Sequence, residues 1–347
     1  MNYKKPKLKA PPPPEKAIID GDSILFQAAQ AGENTWYVAI GEKGEEIARF
    51  DSAHSFNNWL EVAKAFGKDM EYGYEGDLDK VEKKVEYEIL DVRNCYKAFD
   101  KIVREGVKAS GCNDYAVYIS KKSGARVFRY DIATLHPYKY GRDQRRKPHY
   151  LEAVRSYARK QPNVITVRGV IEVDDKVVSE AERLKHKACL CTVDKDALQA
   201  RGCHILLLGQ MEKPIFSSKR IVGRLWQEGN KVFGTGYLFM AFQMLKGDKS
   251  VDGIVGLPGW GDKKAYEALK DFDGTDISYL PDVVDVVAKL YYEVYGDEYR
   301  YKHCYTGEEV VASWKDVFEE NLRLLWMKRH KDDEGQDIMK YVQEEIC

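Results

Sequence analysis

The residues best suited to chemistry are carboxylates that follow short apolar runs. Three acidic clusters each come after such a run, at 17–19, 164–167 and 188–193. Each run has the length and composition of a buried strand. Ligands of an open parallel sheet bind outside the carboxyl ends of its strands, so we expect these acids to converge on one edge. With one further acid before a glycine-rich turn, the candidates are Asp20, Glu172, Asp174, Asp175, Asp194, Asp196 and Asp252.

Seven carboxylates at one place cannot all stay ionised without cations between them. Hard divalent ions with oxygen ligands, Mg²⁺ or Mn²⁺, are the natural partners. Two such ions about 3.5–4 Å apart cleave phosphodiesters, because one activates water and the other steadies the leaving oxygen. The alternative for any single acid is a turn or a helix cap. Three clusters after three predicted strands favour a shared role, and the sequence predicts a two-ion site.

Composition excludes several classes of protein. The 347 residues carry 55 basic and 56 acidic side chains, a net charge of −1, which excludes a uniformly basic coat protein for nucleic acid. Mean hydropathy is −0.53 and no apolar run is long enough to span a bilayer, so no membrane association is expected. The N-terminus lacks the apolar segment of a secretory signal. The seven cysteines are scattered without a CxxC pair, which favours free thiols in the cytoplasm.

A basic stretch stands out against this balanced charge. Residues 121–160 hold twelve basic and three acidic side chains, a formal charge of +9. Tyr130, Tyr138, Tyr140 and Tyr150 are interleaved with them. Basic groups pair with phosphates and tyrosine rings can stack on unpaired bases, so the stretch predicts contact with nucleic acid. The alternative is a solvated charged face.

The glycine-rich segment 253–261 precedes a predicted helix that opens with Asp262, Lys263 and Lys264. Glycines let the backbone approach a phosphate closely, and the free N–H groups of a helix N-terminus attract that anion. The segment therefore predicts a phosphate contact, with a tight turn between two helices as the alternative.

The elements that must position these residues alternate between strand and helix. The predicted sheet strands are 17–19, 115–119, 164–167, 188–193 and 204–208. The alternation predicts an α/β fold with a mostly parallel central sheet and helices on both faces.

Other segments are predicted as a hairpin (36–40 with 46–50), a long helix (about 77–107) and a C-terminal series of helices that includes 280–295 and 313–327. We divide the chain into a disordered basic and proline-rich arm (1–14), an α/β core (15–230) and a helical DNA-binding subdomain (231–347).

Five segments, in this order, resemble the 5′→3′ exonuclease and flap endonuclease family. They are IIDGD at 18–22, YKYGR at 138–142, EVDD at 172–175, TVDKD at 192–196 and GDKSVDGIVGLPGWGDKK at 247–264. The resemblance is strongest to bacteriophage members and extends to the 5′-nuclease domain of bacterial DNA polymerase I. It covers residues 18 to about 270.

The resemblance implies that the seven acids are ligands of two divalent ions or lie next to those ligands. It places Lys139 and Arg142 as catalytic residues at the base of a helical arch, about 121–160, where they contact the scissile phosphate. It makes the turn Gly256–Gly261 the hairpin of a helix–three-turn–helix motif, about 234–272, which grips duplex DNA and holds K⁺. The predicted DNA contacts are Tyr138, Arg145, Arg146, Lys147, Gly256, Gly259, Gly261, Lys263 and Lys264.

One position departs from the family pattern. The strand before the arch usually ends in aspartate, whereas Ser120 stands there in this chain. The loss of a carboxylate predicts weaker metal binding at one site, unless another acid such as Asp22 takes the role.

The motifs together predict a Mg²⁺- or Mn²⁺-dependent 5′→3′ exonuclease acting on duplex DNA with a 5′ end, nick or flap. Cleavage of flaps or of RNA–DNA hybrids, and a task in phage replication within the host cytoplasm, are further expectations. The alternative is a protein of the same fold that binds branched DNA with little or no cleavage.

Overall fold

The computed structural model describes residues 3–122, 127–140, 146–169, 171–229, 231–248, 252–330 and 332–342. They form two compact units. The core unit comprises Met1–Ile24, Lys101–Arg146 and Arg155–Cys347, and the inserted unit comprises Leu25–Asp100 and Lys147–Val154.

The strands, in chain order, are β1 (Lys16–Asp20), β2 (Glu33–Ile40), β3 (Glu46–Phe50), β4 (Glu82–Ile89), β5 (Asp114–Ser120), β6 (Val164–Val167), β7 (Ala188–Thr192), β8 (His204–Leu207), β9 (Ile215–Phe216), β10 (Gly223–Glu228), β11 (Lys231–Thr235), β12 (Tyr299–Lys302) and β13 (Glu309–Ala312). The helices are α1 (Gly21–Gln30), α2 (Ala53–Phe66), α3 (Arg93–Ser110), α4 (Arg129–Ile132), α5 (Leu151–Ala158), α6 (Val173–Leu184), α7 (Gly236–Lys246), α8 (Asp262–Leu269), α9 (Leu280–Tyr295), α10 (Trp314–Leu325) and α11 (Gln336–Met339).

The core unit contains a six-stranded sheet in the order β6-β5-β1-β7-β8-β9. Every neighbouring pair is parallel except β8 with β9. The central strands β1 and β7 are almost wholly buried, which suits the apolar runs 17–19 and 188–191 within them. The predicted mostly parallel α/β fold is confirmed, and the five predicted strands match β1, β5, β6, β7 and β8.

The C-terminal helices pack around α7. Residues 236–245 of this helix are all buried, and α7 contacts α8, α9 and α10. Two antiparallel hairpins, β10 with β11 and β12 with β13, were not predicted. The proposed division near residue 230 stays a prediction, although residues on both sides of it belong to the core unit.

The predicted long helix over 77–107 is wrong. A short 3₁₀ turn at Leu78–Lys80 precedes β4, and only the last part of the range is helical, as α3. The apolar residues Val81, Val85 and Ile89 lie four apart and fit a helix, but Val85, Tyr87 and Ile89 also alternate with charged residues. Pairing along all of β4 with β2 selects the strand.

The inserted unit is a three-stranded antiparallel sheet, β3-β2-β4, covered on part of one face by α2. The predicted hairpin is confirmed as β2 and β3. Its small core consists of Ala39, Ala48, Phe50, Phe56 and Trp59. Within the part of the chain that the structure describes, we find no helix with the length and hydropathy needed to cross a membrane.

Candidate metal and nucleic-acid site

Asp20 lies at the carboxyl end of β1, with 5% of its surface exposed. Its carboxylate accepts hydrogen bonds from the hydroxyls of Ser23 and Thr192, each at 3.0 Å. Burial, with a smaller contribution from the charges of Asp22 and Asp194, raises the pKa of Asp20 to about 6, although the hydrogen bonds from the two hydroxyls act to lower it. The site therefore begins with a carboxyl group that lacks compensating positive charge.

Thr192, the last residue of β7, connects this acid to the next cluster. Its hydroxyl donates to Asp20 and accepts from the backbone N–H of Asp194 at 3.0 Å. Asp194 in turn accepts from the N–H of Asp196 at 2.9 Å. Burial raises the pKa of Asp196 well above its usual range, and the charges of Asp194 and Asp252 add to the effect while Lys195 opposes it. The acids that follow β1 and β7 thus share one electrostatic environment.

The third acidic cluster stands at the start of α6. Glu172, Asp174 and Asp175 each offer a carboxylate oxygen, and these oxygens lie within 4.8 Å of one another. Burial raises the pKa of Asp174 well above its usual range, and the charges of Glu172 and Asp175 contribute. Burial would also raise the pKa of Glu172, but Arg129 and Lys139 outweigh it and lower that pKa to about 2. Asp174 is therefore the acid of this cluster whose charge Arg129 and Lys139 only partly compensate.

Asp175 is held by protein donors on both oxygens. Arg129 donates to them at 2.9 and 2.8 Å, and the backbone N–H of Lys328 adds a third bond at 2.8 Å. Asp175 is completely buried. These contacts favour a structural anchor, and a metal contact for Asp175 stays a prediction.

Two basic residues of the stretch 121–160 point inward and are unavailable to DNA phosphates. Arg129 and Arg155 are each 2% exposed. Arg155 donates to Asp22 and to the Ser120 hydroxyl, both at 2.8 Å, and Asp22 also accepts from the Ser120 N–H at 3.0 Å. Ser120 stands at the position where the family that the sequence resembles has an aspartate. Its hydroxyl accepts from Arg155, which also pairs with Asp22.

Lys139 lies between the acids of α6 and the glycine-rich turn. Its ammonium group pairs with Glu172, and its backbone N–H donates to the carbonyl of Asp252 at 2.9 Å. Burial acts to lower the pKa of Lys139, but the charges of Glu172, Asp174 and Asp252 raise it overall. The ammonium group therefore stays protonated. Its φ of 57° is unusual for a residue with a side chain, and such backbone strain is concentrated at functional sites.

The prediction that Tyr138 contacts DNA does not agree with its position. The ring is 4% exposed, and its hydroxyl donates to Glu172 at 3.3 Å. A ring buried in this way has no free face for a base, and we assign Tyr138 to holding Glu172.

The glycine-rich turn has a buried part and an open part. Gly256 packs against Gly247 so closely that a Cβ atom would lie 2.3 Å from the Gly247 nitrogen, and its carbonyl accepts from the Tyr295 hydroxyl at 2.8 Å. Gly256 therefore shapes the turn, and its predicted DNA contact is not supported. Gly259 and Gly261, in contrast, have open space where a side chain would be.

The open part of the turn leads into α8. Gly261 is the residue before this helix and offers no side-chain cap to its free N–H groups. Lys263 and Lys264 are exposed in the first turn, and the Lys264 ammonium lies 4.2 Å from the centre of the Trp260 ring. This arrangement is suited to a phosphate group. The predicted K⁺ at the turn stays a prediction.

The remaining predicted DNA contacts are only partly described. Arg146 and Lys147 are exposed. Arg142 and Arg145 lie outside the described residues. The catalytic role expected of Arg142 therefore rests on sequence alone.

The donors of the site fit hard divalent cations. Asp20 is a buried oxygen donor and Asp174 and Asp196 are partly buried ones, and the pKa values of all three are raised by desolvation and by neighbouring carboxylates. A divalent cation would supply the positive charge that these groups lack, and it prefers oxygen ligands.

The chain matches no protein-family model. It is similar to a flap endonuclease of bacteriophage T5, solved as a pseudo-enzyme–product complex with DNA and metal ions, at 13% identity and a TM-score of 0.41; the match covers 94% of this chain and 96% of that chain. It is also similar to a mutant of the T5 5′-exonuclease, at 12% identity and a TM-score of 0.38, over 95% of this chain and 100% of that chain. Both proteins are nucleases of the kind that the five sequence segments resemble.

Proposed function

We propose that this protein is a divalent-metal-dependent phosphodiesterase that cleaves duplex DNA in the 5′→3′ direction. The observation that carries the proposal is the excess of negative charge on buried and partly buried carboxylates at the carboxyl ends of β1 and β7 and at the start of α6. Asp20, Asp174 and Asp196 all have raised pKa values there. Such an arrangement is unfavourable in a purely structural role and becomes favourable when cations bind.

Asp20, Asp174, Asp194, Asp196 and Asp252 would hold the ions, with Glu172 and Asp175 keeping the start of α6 in place. When bound, Mg²⁺ or Mn²⁺ activates water and neutralises charge on the scissile phosphate. Lys139, held by Glu172 and by the backbone of Asp252, would direct its ammonium group to the same phosphate.

Binding of the duplex is assigned to a separate surface. Gly259, Gly261 and the first turn of α8 would contact one strand of the backbone, with Lys263 and Lys264 pairing with neighbouring phosphates. Phosphate contacts at these residues would position the DNA, while the acids hold the ions.

The direction of cleavage and the choice of substrate come from the sequence motifs. We propose that a 5′ end, nick or flap is the preferred structure, that the RNA of a hybrid is a further substrate, and that the activity serves phage replication. The test is a gel with 5′-labelled nicked, flapped and hybrid duplexes, with Mg²⁺ or with chelator. Short labelled products that need Mg²⁺ are expected, and cleavage from the 3′ end would contradict the proposed direction.

A second candidate function is a protein that binds branched DNA with little cleavage. The pairing of Arg155 with Asp22 and Ser120 favours it, because Ser120 stands where an acid is expected and Arg155 neutralises the neighbouring Asp22. The same gel separates the two, since the second candidate requires shifted DNA without Mg²⁺-dependent products.

A further inference from the structure

The inserted unit has a charge opposite to that of the rest of the chain. Residues 25–100 hold sixteen acidic and nine basic side chains, a formal charge of −7, within a chain whose net charge is −1. The unit would therefore repel a DNA backbone. A role unlike that of the core unit follows, independent of the proposed nuclease activity.

The strand β4 is an open edge of this unit. It pairs with β2 along its whole length, from Ile89 opposite Glu33 to Glu82 opposite Ile40. In the part of the chain that the structure describes, no strand pairs with the other side of β4. All of its residues except Glu86 are exposed. Natural edge strands are usually short, bulged or covered, because an open edge binds further strands. A regular, exposed edge of this length indicates a docking site.

The two faces of β4 differ in chemistry. One face carries Lys83, Val85, Tyr87 and Ile89, and its three apolar residues Val85, Tyr87 and Ile89 are 44%, 47% and 38% exposed. On the other face stand Glu82, Lys84, Glu86 and Glu88. A strand added beside β4 would set its own alternate residues against these two faces.

The lysines that could protect this edge already have partners. Lys84 pairs with Glu86 at 2.8 Å, and Lys83 lies over the Phe56 ring, 5.4 Å from its centre. Glu82 and Glu88 remain exposed at the two ends of the acidic face. The edge therefore has apolar side chains on one face of the sheet and mostly acidic side chains on the other.

We propose that the outer edge of β4 binds an extended segment of a partner protein in which apolar and basic residues alternate. The apolar residues would pack on Val85, Tyr87 and Ile89, and the basic residues would face Glu82 and Glu88. Main-chain hydrogen bonds to the open edge would give affinity, and the alternation would give specificity.

A second copy of this chain fits the edge less well. Antiparallel pairing of β4 with another β4, apolar faces on one side, sets Glu86 opposite Glu86 or Glu82 opposite Glu88 in its two longest registers, and Lys84 can neutralise only one glutamate of each strand there; a partner with a basic residue opposite every glutamate matches the acidic face more completely. Like charges directly opposite each other destabilise a strand pair.

The experiment is titration of the full chain with a fluorescent synthetic peptide, as long as β4, that alternates valine with lysine. We expect saturable binding and slower amide hydrogen exchange in β4, with no change in β3, the other edge of the sheet. The double variant Glu82→Lys/Glu88→Lys should weaken binding roughly tenfold or more, as should Val85→Ser/Tyr87→Ser. These side chains are exposed, so circular dichroism should show an intact fold.

The matched control is Glu61→Lys/Glu71→Lys, which changes the unit's charge equally at exposed positions outside β4. Equal weakening by this control would overturn the proposal, because it would indicate unspecific attraction. Equal binding of a peptide with the same composition in two blocks, or no binding of the alternating peptide, would overturn it as well. Self-association abolished by Val85→Ser/Tyr87→Ser would assign the edge to a second copy instead.

Discussion

Arg129 and Asp175 form a bidentate ion pair inside the core unit, with both side chains almost completely buried. The guanidinium group also donates to the carbonyls of Leu324 and Trp326, at 3.0 and 2.7 Å. One side chain thus connects α4, the start of α6 and the end of α10. Because Asp175 is next to Asp174, the pair determines where a proposed metal ligand lies.

We expect Arg129→Met to lower the free energy of unfolding by about 3–5 kcal/mol, since it leaves Asp175 buried without its counter-charge. Urea denaturation measures the change. The control is Arg183→Met, which removes the mostly exposed partner of Glu180 and should cost less than about 1 kcal/mol. Similar losses of stability in the two variants would show that the buried ion pair contributes no more to stability than the pair with Glu180.

The raised pKa of Asp20 makes stability depend on pH. Its ordinary value is 3.8 and its folded value is about 6, so between these values the folded state binds more protons than the unfolded state. Stability therefore falls as pH rises through this window, by about 3 kcal/mol in all.

Asp20→Asn cannot lose a proton. In chelator, the variant should gain about 2.4 kcal/mol of stability over wild type between pH 4 and pH 7, as measured by urea denaturation at both values. An unchanged difference at the two pH values would show that the Asp20 carboxyl titrates normally.

Much of the core sheet can be predicted from sequence because its strands are apolar runs that end in polar residues. The run Ala17-Ile18-Ile19 before Asp20 leaves little choice of structure. The segment 77–107 could not be decided in this way, since its apolar spacing suits both helix and strand. The pairing of β4 with β2 joins residues about fifty apart in sequence, so it cannot be predicted from a local pattern.

The sequence predicts the kind of site, a cluster of carboxylates, better than it predicts the contacts of individual side chains. The acidic clusters follow strands, and their order along the chain indicates a shared edge. The inward positions of Arg129, Arg155 and Tyr138 could not be predicted, because a local charge count does not separate a buried ion pair from a DNA-binding surface. Their partners, such as Asp175 for Arg129, are distant in sequence.

Ser120→Asp tests the departure from the family pattern. Because the new carboxylate adds a hard ligand, we expect half-maximal cleavage at a lower Mg²⁺ concentration than in wild type. Asp22→Asn should leave this concentration nearly unchanged, since Asp22 is already paired with Arg155. If Ser120→Asp has no effect while Asp22→Asn needs much more Mg²⁺, then Asp22 serves the metal and Ser120 does not.

The two groups of basic residues should have different effects. Lys139→Ala should lower the single-turnover rate more than duplex affinity, because its ammonium group lies among the acids. Lys263→Ala/Lys264→Ala should weaken duplex binding and reduce its salt slope by up to about 2.

The control for the lysine pair is Lys101→Ala/Lys108→Ala, which removes two exposed charges from α3. A filter-binding titration over a range of salt concentrations makes the comparison. Equal losses of affinity in the two double variants would remove the turn before α8 from the DNA-binding surface.

The most direct test of the metal site is single-turnover cleavage of 5′-labelled duplex by wild type, Asp174→Asn and Asp196→Asn, with the exposed Asp297→Asn as control. With Mg²⁺, we expect the first two variants to lose roughly 100-fold or more in rate, because each removes a charged ligand, while Asp297→Asn matches wild type. In chelator, the two variants should be more stable than wild type, since each removes a partly buried carboxylate with a raised pKa. Cleavage that persists in chelator, or a near-wild-type rate for either variant, would contradict the account.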